Sequence, residues 1–423
     1  MKEDFLHYVW QHVPLASNSF TADNGDNITI INKGIKNNDA GPDFTNAIVD
    51  INGVHWAGNI EIHINSNDWF NHKHHLDEAY NNVVLHVVLN VQDRSIINKA
   101  ERCIPQIALT IPLHITSNYN SLTHSNSAIA CSNKLASVDD FHIKLWTEKL
   151  AIERLEQKTS TIQKLLESTQ NNWSETFYIL LARNFGFSTN AEPFEALALQ
   201  TPLNILSKFK SNLFQLESLL FGQSGLLQLN DTNVYAQKLF TEYQFLQHKH
   251  KLKPLAASYW KFMRIRPNNF PTVRIAQFAA LVNQSQHLFS RIIECVNIKE
   301  VKELFKCKVS TYWTAHYNFG KAVDKNAANL GKSSIENILI NTVVPFIFIY
   351  GKLRGKEDRC DFALKLLESI APEKNSIIKE WQELGIKALN ARETQSLIQL
   401  RKQYCDVQKC IYCNIGHQVI TNI

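Results

Sequence analysis

The sequence predicts an α+β protein, with a mixed sheet and flanking helices in the first third and a large all-α part after it. Three observations carry this. Up to about residue 115, apolar residues alternate with polar ones or run in β-branched blocks. Beyond Ser137 the apolar spacing becomes that of amphipathic helices. Charge changes at the same place: residues 1–140 hold 8 Lys+Arg against 15 Asp+Glu, and 10 of the 16 histidines. A net −7 there leaves +12 for the remainder of a chain whose formal charge is +5. The expected domains are 1–136 and 137–423.

Taken in order, Asn27–Asn32 and Phe44–Ile51 are short strands, and Asn52-Gly53 is a tight-turn signal that sends the chain back along Val54–Ile64. There Ile60, Ile62 and Ile64 alternate with Glu61 and His63, the period of a half-buried strand. Polar caps at 65–68 introduce a helix with Trp69, Leu76 and Tyr80 on one stripe. Val83–Leu89 is apolar enough to be a central strand covered on both faces, and Ile104–Ile115 supplies another. The helical part starts at Ser137–Asp140, runs from Phe141 to Glu167, and continues at 173–185, 191–199, 234–248, 273–295, 335–350, 358–370, 375–389 and 394–404. No fixed-period repeat supports a solenoid.

Composition excludes several classes. With 44% hydrophobic and 20% charged residues the chain can bury real cores. The acidic start Met1-Lys-Glu-Asp does not resemble a secretory signal. The most apolar stretch, 335–350, is interrupted by Glu336, Asn337, Asn341 and Pro345, so a buried helix and no membrane association are expected. Eight cysteines, three bunched near the end, do not form a disulfide scaffold pattern. A cytoplasmic protein with reduced thiols follows as the expectation.

The densest polar chemistry lies between Gly41 and His86: Asp43, Glu61, His63, Asp68, His72, His74, His75, Asp77 and His86. Glu61 and His63, two apart on a strand, share a face. A hairpin would bring Asp43 to Glu61, a carboxylate pair suited to Mg²⁺ or Mn²⁺. His72 is expected inward on the Trp69 stripe as a further donor, and one of His74 and His75 is expected at the surface. His86, inside an aliphatic run, reads as a hydrogen-bonded core histidine. Glu61, His63, His72 and His86 form an alternative donor set for zinc or manganese in a metallohydrolase.

In the basic part, Arg264-Ile-Arg266-Pro-Asn-Asn-Phe-Pro-Thr-Val-Arg274 is a rigid loop entering a helix. A cation at Arg274, in that helix's first turn, opposes the helix dipole. Arg264, Arg266 and Arg274 are therefore either phosphate contacts or a clamp on buried carboxylates and loop carbonyls. Near the end, Cys405, Cys410 and Cys413 have metal-ligand spacing for zinc or an iron–sulfur cluster, with His417 or one of five distant cysteines as fourth ligand. The other reading of these three is small hydrophobes in a packed helix end.

Asp43 before one strand and Glu61-Ile-His63 on its partner resemble the PD-(D/E)XK nuclease superfamily, whose fold is restriction-endonuclease-like. The resemblance implies a metal-dependent phosphodiesterase cutting DNA or RNA, with Asp43 and Glu61 as metal carboxylates. His63 then stands where the superfamily has a catalytic lysine, to orient water or neutralise developing charge. A non-catalytic scaffold on a degenerate nuclease fold is the other implication. Over nearly its full length the chain also resembles an uncharacterised bacterial family, domain of unknown function 2851. The pieces that carry this are Gly41-Pro-Asp-Phe, Glu61-Ile-His, Leu85-His-Val-Val, Ala182-Arg-Asn-Phe-Gly, Arg264-Ile-Arg-Pro-Asn-Asn-Phe-Pro and Cys410-x-x-Cys413.

Overall fold

The computed structural model describes residues 2–15, 17–92, 94–228, 232–285, 287–323 and 329–422. The chain divides into two compact units: Met1–Trp146 with Arg401–Ile423 (unit 1), and Thr147–Leu400 (unit 2). The division differs from the expected one at its far end, because the cysteine-bearing segment belongs with the sheet and not with the helices.

Unit 1 is built on a seven-stranded mixed sheet of β1 (Ser19–Thr21), β2 (Asn27–Asn32), β3 (Ile35–Lys36), β4 (Phe44–Ile51), β5 (Val54–Asn65), β6 (Val83–Asn90) and, after a small hairpin of β7 (Ile96–Ile97) with β8 (Cys103–Ile104), β9 (Gln106–Ala108). The order is β1-β2-β4-β5-β6-β9, with β3 beside β4. Strands β4 and β5 are the antiparallel hairpin that Asn52-Gly53 dictates, both turn residues having positive φ (52° and 86°) as a type I′ turn requires. Strand β6 then lies parallel to β5, and β9 parallel to β6.

Both faces of β5 are buried from Ile60 to His63. Its alternation therefore separates two kinds of interior, apolar at Ile60 and Ile62 and ionisable at Glu61 and His63, rather than core from solvent. A helix that the periodicity did not reveal, Glu3–His12, packs on β5 and buries Phe5, Leu6, Tyr8, Val9 and Trp10.

Two local expectations are corrected. The helix expected over 68–80 is one turn, Asp68–Asn71, followed by two 3-10 turns, because Lys73 adopts left-handed φ (64°) and resets the chain. Leu76 is consequently exposed while Trp69 and Tyr80 are buried. The strand expected over 104–115 stops at Ala108. Pro105 interrupts it between β8 and β9, and Leu113–Thr123 is a helix entered through Pro112.

Unit 2 is helical around one apolar core that includes Phe177, Phe278, Trp313 and Phe346. Helix 273–295 is in fact two, Pro271–Gln284 and Leu288–Glu294. Leu213–Gln223 is also a helix. There Gly222 faces the Tyr243 ring so closely that a Cβ would sit 2.0 Å from it. The apolar run is the helical segment Lys332–Arg354, long and apolar enough to cross a membrane, yet with 72% of its most apolar window buried inside the protein. It carries a π-turn at Leu339–Val343, one turn before Pro345. Proline has no N–H for the carbonyl four residues back, and that carbonyl, on Asn341, instead accepts from Asn184 Nδ2 at 3.3 Å.

Candidate metal centre

Strand β5 positions Glu61 and His63, β6 positions His86, and the broken 68–80 segment positions His72 and His74. The hairpin brings Asp43 to Glu61 as expected: Asp43 N–H donates to Glu61 Oε2 (3.0 Å), and Ile62 N–H donates to Asp43 Oδ2 (2.9 Å). The same Asp43 oxygen lies 3.2 Å from His7 Nε2, on the helix Glu3–His12. Burial opposes charge on His7, but the hydrogen bond and charge of Asp43 carry its pKa above the ordinary value.

The other oxygen of Glu61 faces histidines. Its Oε1 is 3.2 Å from His74 Nε2 and 3.5 Å from His63 Nε2. His63 Nε2 is in turn 3.1 Å from His72 Nδ1. One ligand atom from each of His63, His72 and His74 lies within 4.8 Å of the others. His74 Nε2 is buried and makes no hydrogen bond of acceptable geometry. His74 is fixed by Tyr80, stacked at 3.9 Å, and by the edge of Trp69.

His74 is thus the histidine that sequence spacing undervalued, because the left-handed Lys73 turns it inward. His72 is exposed rather than buried, and its ring reaches the cluster from the solvent side. Glu3, also missed, is within electrostatic reach of His72 and Asp43. Its spacing from His7, four residues on one helical face, was the available signal.

The electrostatics of the site are set chiefly by burial. Burial, then the neighbouring Asp43 carboxylate, pushes Glu61 up to about 9. Burial, then the surrounding imidazoles, pushes His63 down to about 2. Burial also lowers His74, so Glu61 resists ionisation while His63 and His74 resist protonation, and the neutral imidazoles keep lone pairs that a cation could take.

A chain of hydrogen bonds fixes which nitrogen of His63 carries its lone pair into the cluster. Gln106 Nε2 donates to Asp23 Oδ2 (2.8 Å) and to the Arg94 carbonyl (3.1 Å), so its Oε1 is an acceptor. His86 Nδ1 must donate to that oxygen (3.1 Å), leaving His86 Nε2 to accept from His63 Nδ1 (2.8 Å). His63 Nε2 is therefore bare and aimed at His72 and Glu61. This is the outer-shell support that a metal-ligating histidine uses. His86 is the hydrogen-bonded core residue that was expected. Gln106, on a three-residue strand beyond a proline, had no sequence signal.

The three arginines fare differently. Arg264 and Arg266 are exposed. Arg274 is buried, donates to Gln277 Oε1 (2.8 Å), Asn269 Oδ1 and Ser334 Oγ (3.1 Å), and lies over the Phe187 ring. Burial alone lowers its pKa to about 10. It clamps the loop to the helix it enters through its two terminal nitrogens, both committed inside unit 2, while its Nε makes no hydrogen bond.

A family model described as protein of unknown function (DUF2851) matches residues 3–376. Neither the comparison with curated proteins nor that with solved structures gave a match.

Proposed function

The chain belongs to the DUF2851 family, whose description assigns no chemistry, and we propose that unit 1 is a metal-dependent hydrolase of phosphodiesters. The observation that carries the reading is the convergence of His63, His72 and His74 within 4.8 Å beside the buried carboxylate of Glu61. Three imidazoles and one carboxylate suit zinc or manganese better than magnesium, which prefers an all-oxygen shell. Such a metal supplies Lewis-acid activation of a phosphoryl oxygen and acidifies a bound water. Asp43, held by the Ile62 N–H and His7, is the second carboxylate, placed to orient a nucleophile. The exposed His72 marks the side from which substrate enters.

The phosphodiester part of the reading is supported by the hairpin with Asp43 and Glu61-Ile-His63, and by the parallel β6 that follows through a short helix. That is the order of a PD-(D/E)XK core. DNA or RNA is the proposed polymer, because unit 2 carries 32 Lys+Arg against 23 Asp+Glu and presents Arg264 and Arg266.

The test is titration of purified protein with Zn²⁺, Mn²⁺ and Mg²⁺, followed by hydrolysis assays on bis(p-nitrophenyl) phosphate and on DNA and RNA. Glu61→Gln and His74→Ala should each lose metal affinity and hydrolysis while keeping the fold. Wild-type protein that loads metal but cleaves none of these substrates would refute the activity. If it still bound nucleic acid, a binding module would remain.

A further inference from the structure

Cys405, Cys410 and Cys413 belong to unit 1, and so does Cys131, more than 270 residues earlier. The four thiols lie within electrostatic reach of one another: Cys131 feels Cys413 and Cys410, and Cys405 feels Cys413, Cys131 and Cys410. We propose that these four cysteines form a tetrathiolate centre for a soft metal, separate from the histidine site.

The surrounding structure is arranged around them. Cys413 is the N-cap of the last helix, Asn414–Thr421, and is buried at the start of that helix. Gly416 carries no side chain where a Cβ would meet the Cys410 carbonyl at 2.1 Å, which lets the Cys410 turn seat on the start of that helix. The segment Ser132–Ser137, which follows Cys131 directly, packs on the same helix. Asn118 Nδ2 ties that helix down through the carbonyls of Ile420 (3.2 Å) and Asn422 (2.9 Å).

The alternatives for a fourth ligand fall away. His417, nearest in sequence, bonds Tyr8 Oη through Nδ1 at 2.7 Å, and the ionisable groups it feels are His12 and His142, none of the cysteines. Cys103 is exposed on β8, and Cys295, Cys307 and Cys360 lie in unit 2. None of the eight cysteines is in a disulfide.

Cys413 is buried, and Cys131, Cys405 and Cys410 are half-buried. Sulfur spacing bears on the occupant. Among the described residues, the group with three ligand atoms within 4.8 Å of one another is the histidine group, so no three sulfurs stand that close. One zinc ion needs them at roughly 3.8 Å, from Zn–S bonds of about 2.3 Å. An iron–sulfur cluster, with its own sulfides between the irons, takes cysteines set wider apart. The Cys-x4-Cys-x2-Cys spacing is also one that clusters use. Assembly takes ferric and ferrous iron with sulfide in the oxidation states of the finished cluster, so that no electrons are exchanged, and releases the four thiol protons.

Protein purified without oxygen should contain iron and acid-labile sulfide and absorb in the visible range. Stoichiometric zinc in a colourless protein would assign the same ligands to zinc. In either case four of the eight thiols should resist a thiol reagent until the metal is removed. Cys131→Ser should lose at least tenfold in iron and sulfide content, whereas Cys103→Ser keeps it. Should Cys131→Ser not fold, the count of thiols released from wild type on metal removal decides. Protein in which metal removal releases no thiols overturns the proposal, and so does a folded Cys131→Ser that retains its iron and sulfide or its cysteine-bound zinc.

Discussion

Gln106→Leu tests the metal centre through a residue that would touch no metal. Gln106 dictates the His86 tautomer, and His86 dictates that of His63. Leucine matches the side chain in size but removes the acceptor for His86 Nδ1–H and the donor to Asp23. A buried donor without a partner costs about 1–3 kcal/mol, so the melting temperature should fall by several degrees. The larger consequence is for His63. With His86 free to adopt either tautomer, His63 Nε2 is protonated part of the time, and its ring loses its anchor. Loss of such an outer-shell partner weakens metal binding by about 10- to 100-fold, or roughly 1.4–2.7 kcal/mol. The assay is calorimetric titration with Zn²⁺ and Mn²⁺ on protein shown to be folded by circular dichroism. Histidine ¹⁵N shifts of the apoprotein report the tautomer directly. Unchanged affinity in a folded variant, or a wild-type His63 carrying its proton on Nε2, would show that the relay does not set the site.

Other expectations concern unit 2. Glu217 is fully buried, accepts from Tyr235 and Ser310, and is pushed up to about 7, chiefly by burial. The folded protein therefore holds this proton more tightly than the unfolded chain. Its contribution is fully present below about pH 4.5, is lost as pH rises through 7, and costs about 3 kcal/mol at pH 8. Glu217→Gln should raise the melting temperature relative to wild type more at pH 8 than at pH 4.5; an equal change at both would contradict this. Gly222→Ala forces the Tyr243 ring to move and should cost about 1–3 kcal/mol in urea unfolding. Arg274→Met should cost about 2–4 kcal/mol through its lost clamp and leave nucleic-acid affinity unchanged, whereas Arg264→Ala with Arg266→Ala should lower that affinity and flatten its salt dependence.

What the sequence revealed of this molecule follows from which signals are local. The β4–β5 hairpin was legible because Asn52-Gly53 is almost a complete instruction for one turn type, and Asp43, Glu61 and His63 followed from it. His74 was not, since one left-handed residue at Lys73 reversed the side predicted by helical spacing. The helix Glu3–His12 escaped because its apolar residues, Phe5, Leu6, Tyr8, Val9 and Trp10, are too many for a single stripe. Its contribution of Glu3 and His7 to the site was lost with it. Gln106 and Cys131 owe their importance to tertiary neighbours 12 or more residues away, which no local pattern links to them.

The placement of residues 401–423 within unit 1 also imposes an order on biosynthesis. All of unit 2, roughly 250 residues, must be made between the sheet and the segment that completes it. At about 5–20 residues per second the nascent sheet waits on the order of 10–50 s for its last helix. During that interval Cys131 has no thiol partners, and the Asn118 side chain lacks the two carbonyls it later holds. Unit 2, made without interruption, can reach its fold first. Metal loading at the cysteines is then necessarily a late step, and a nonsense codon before residue 405 would leave a finished helical unit attached to an unfinished sheet.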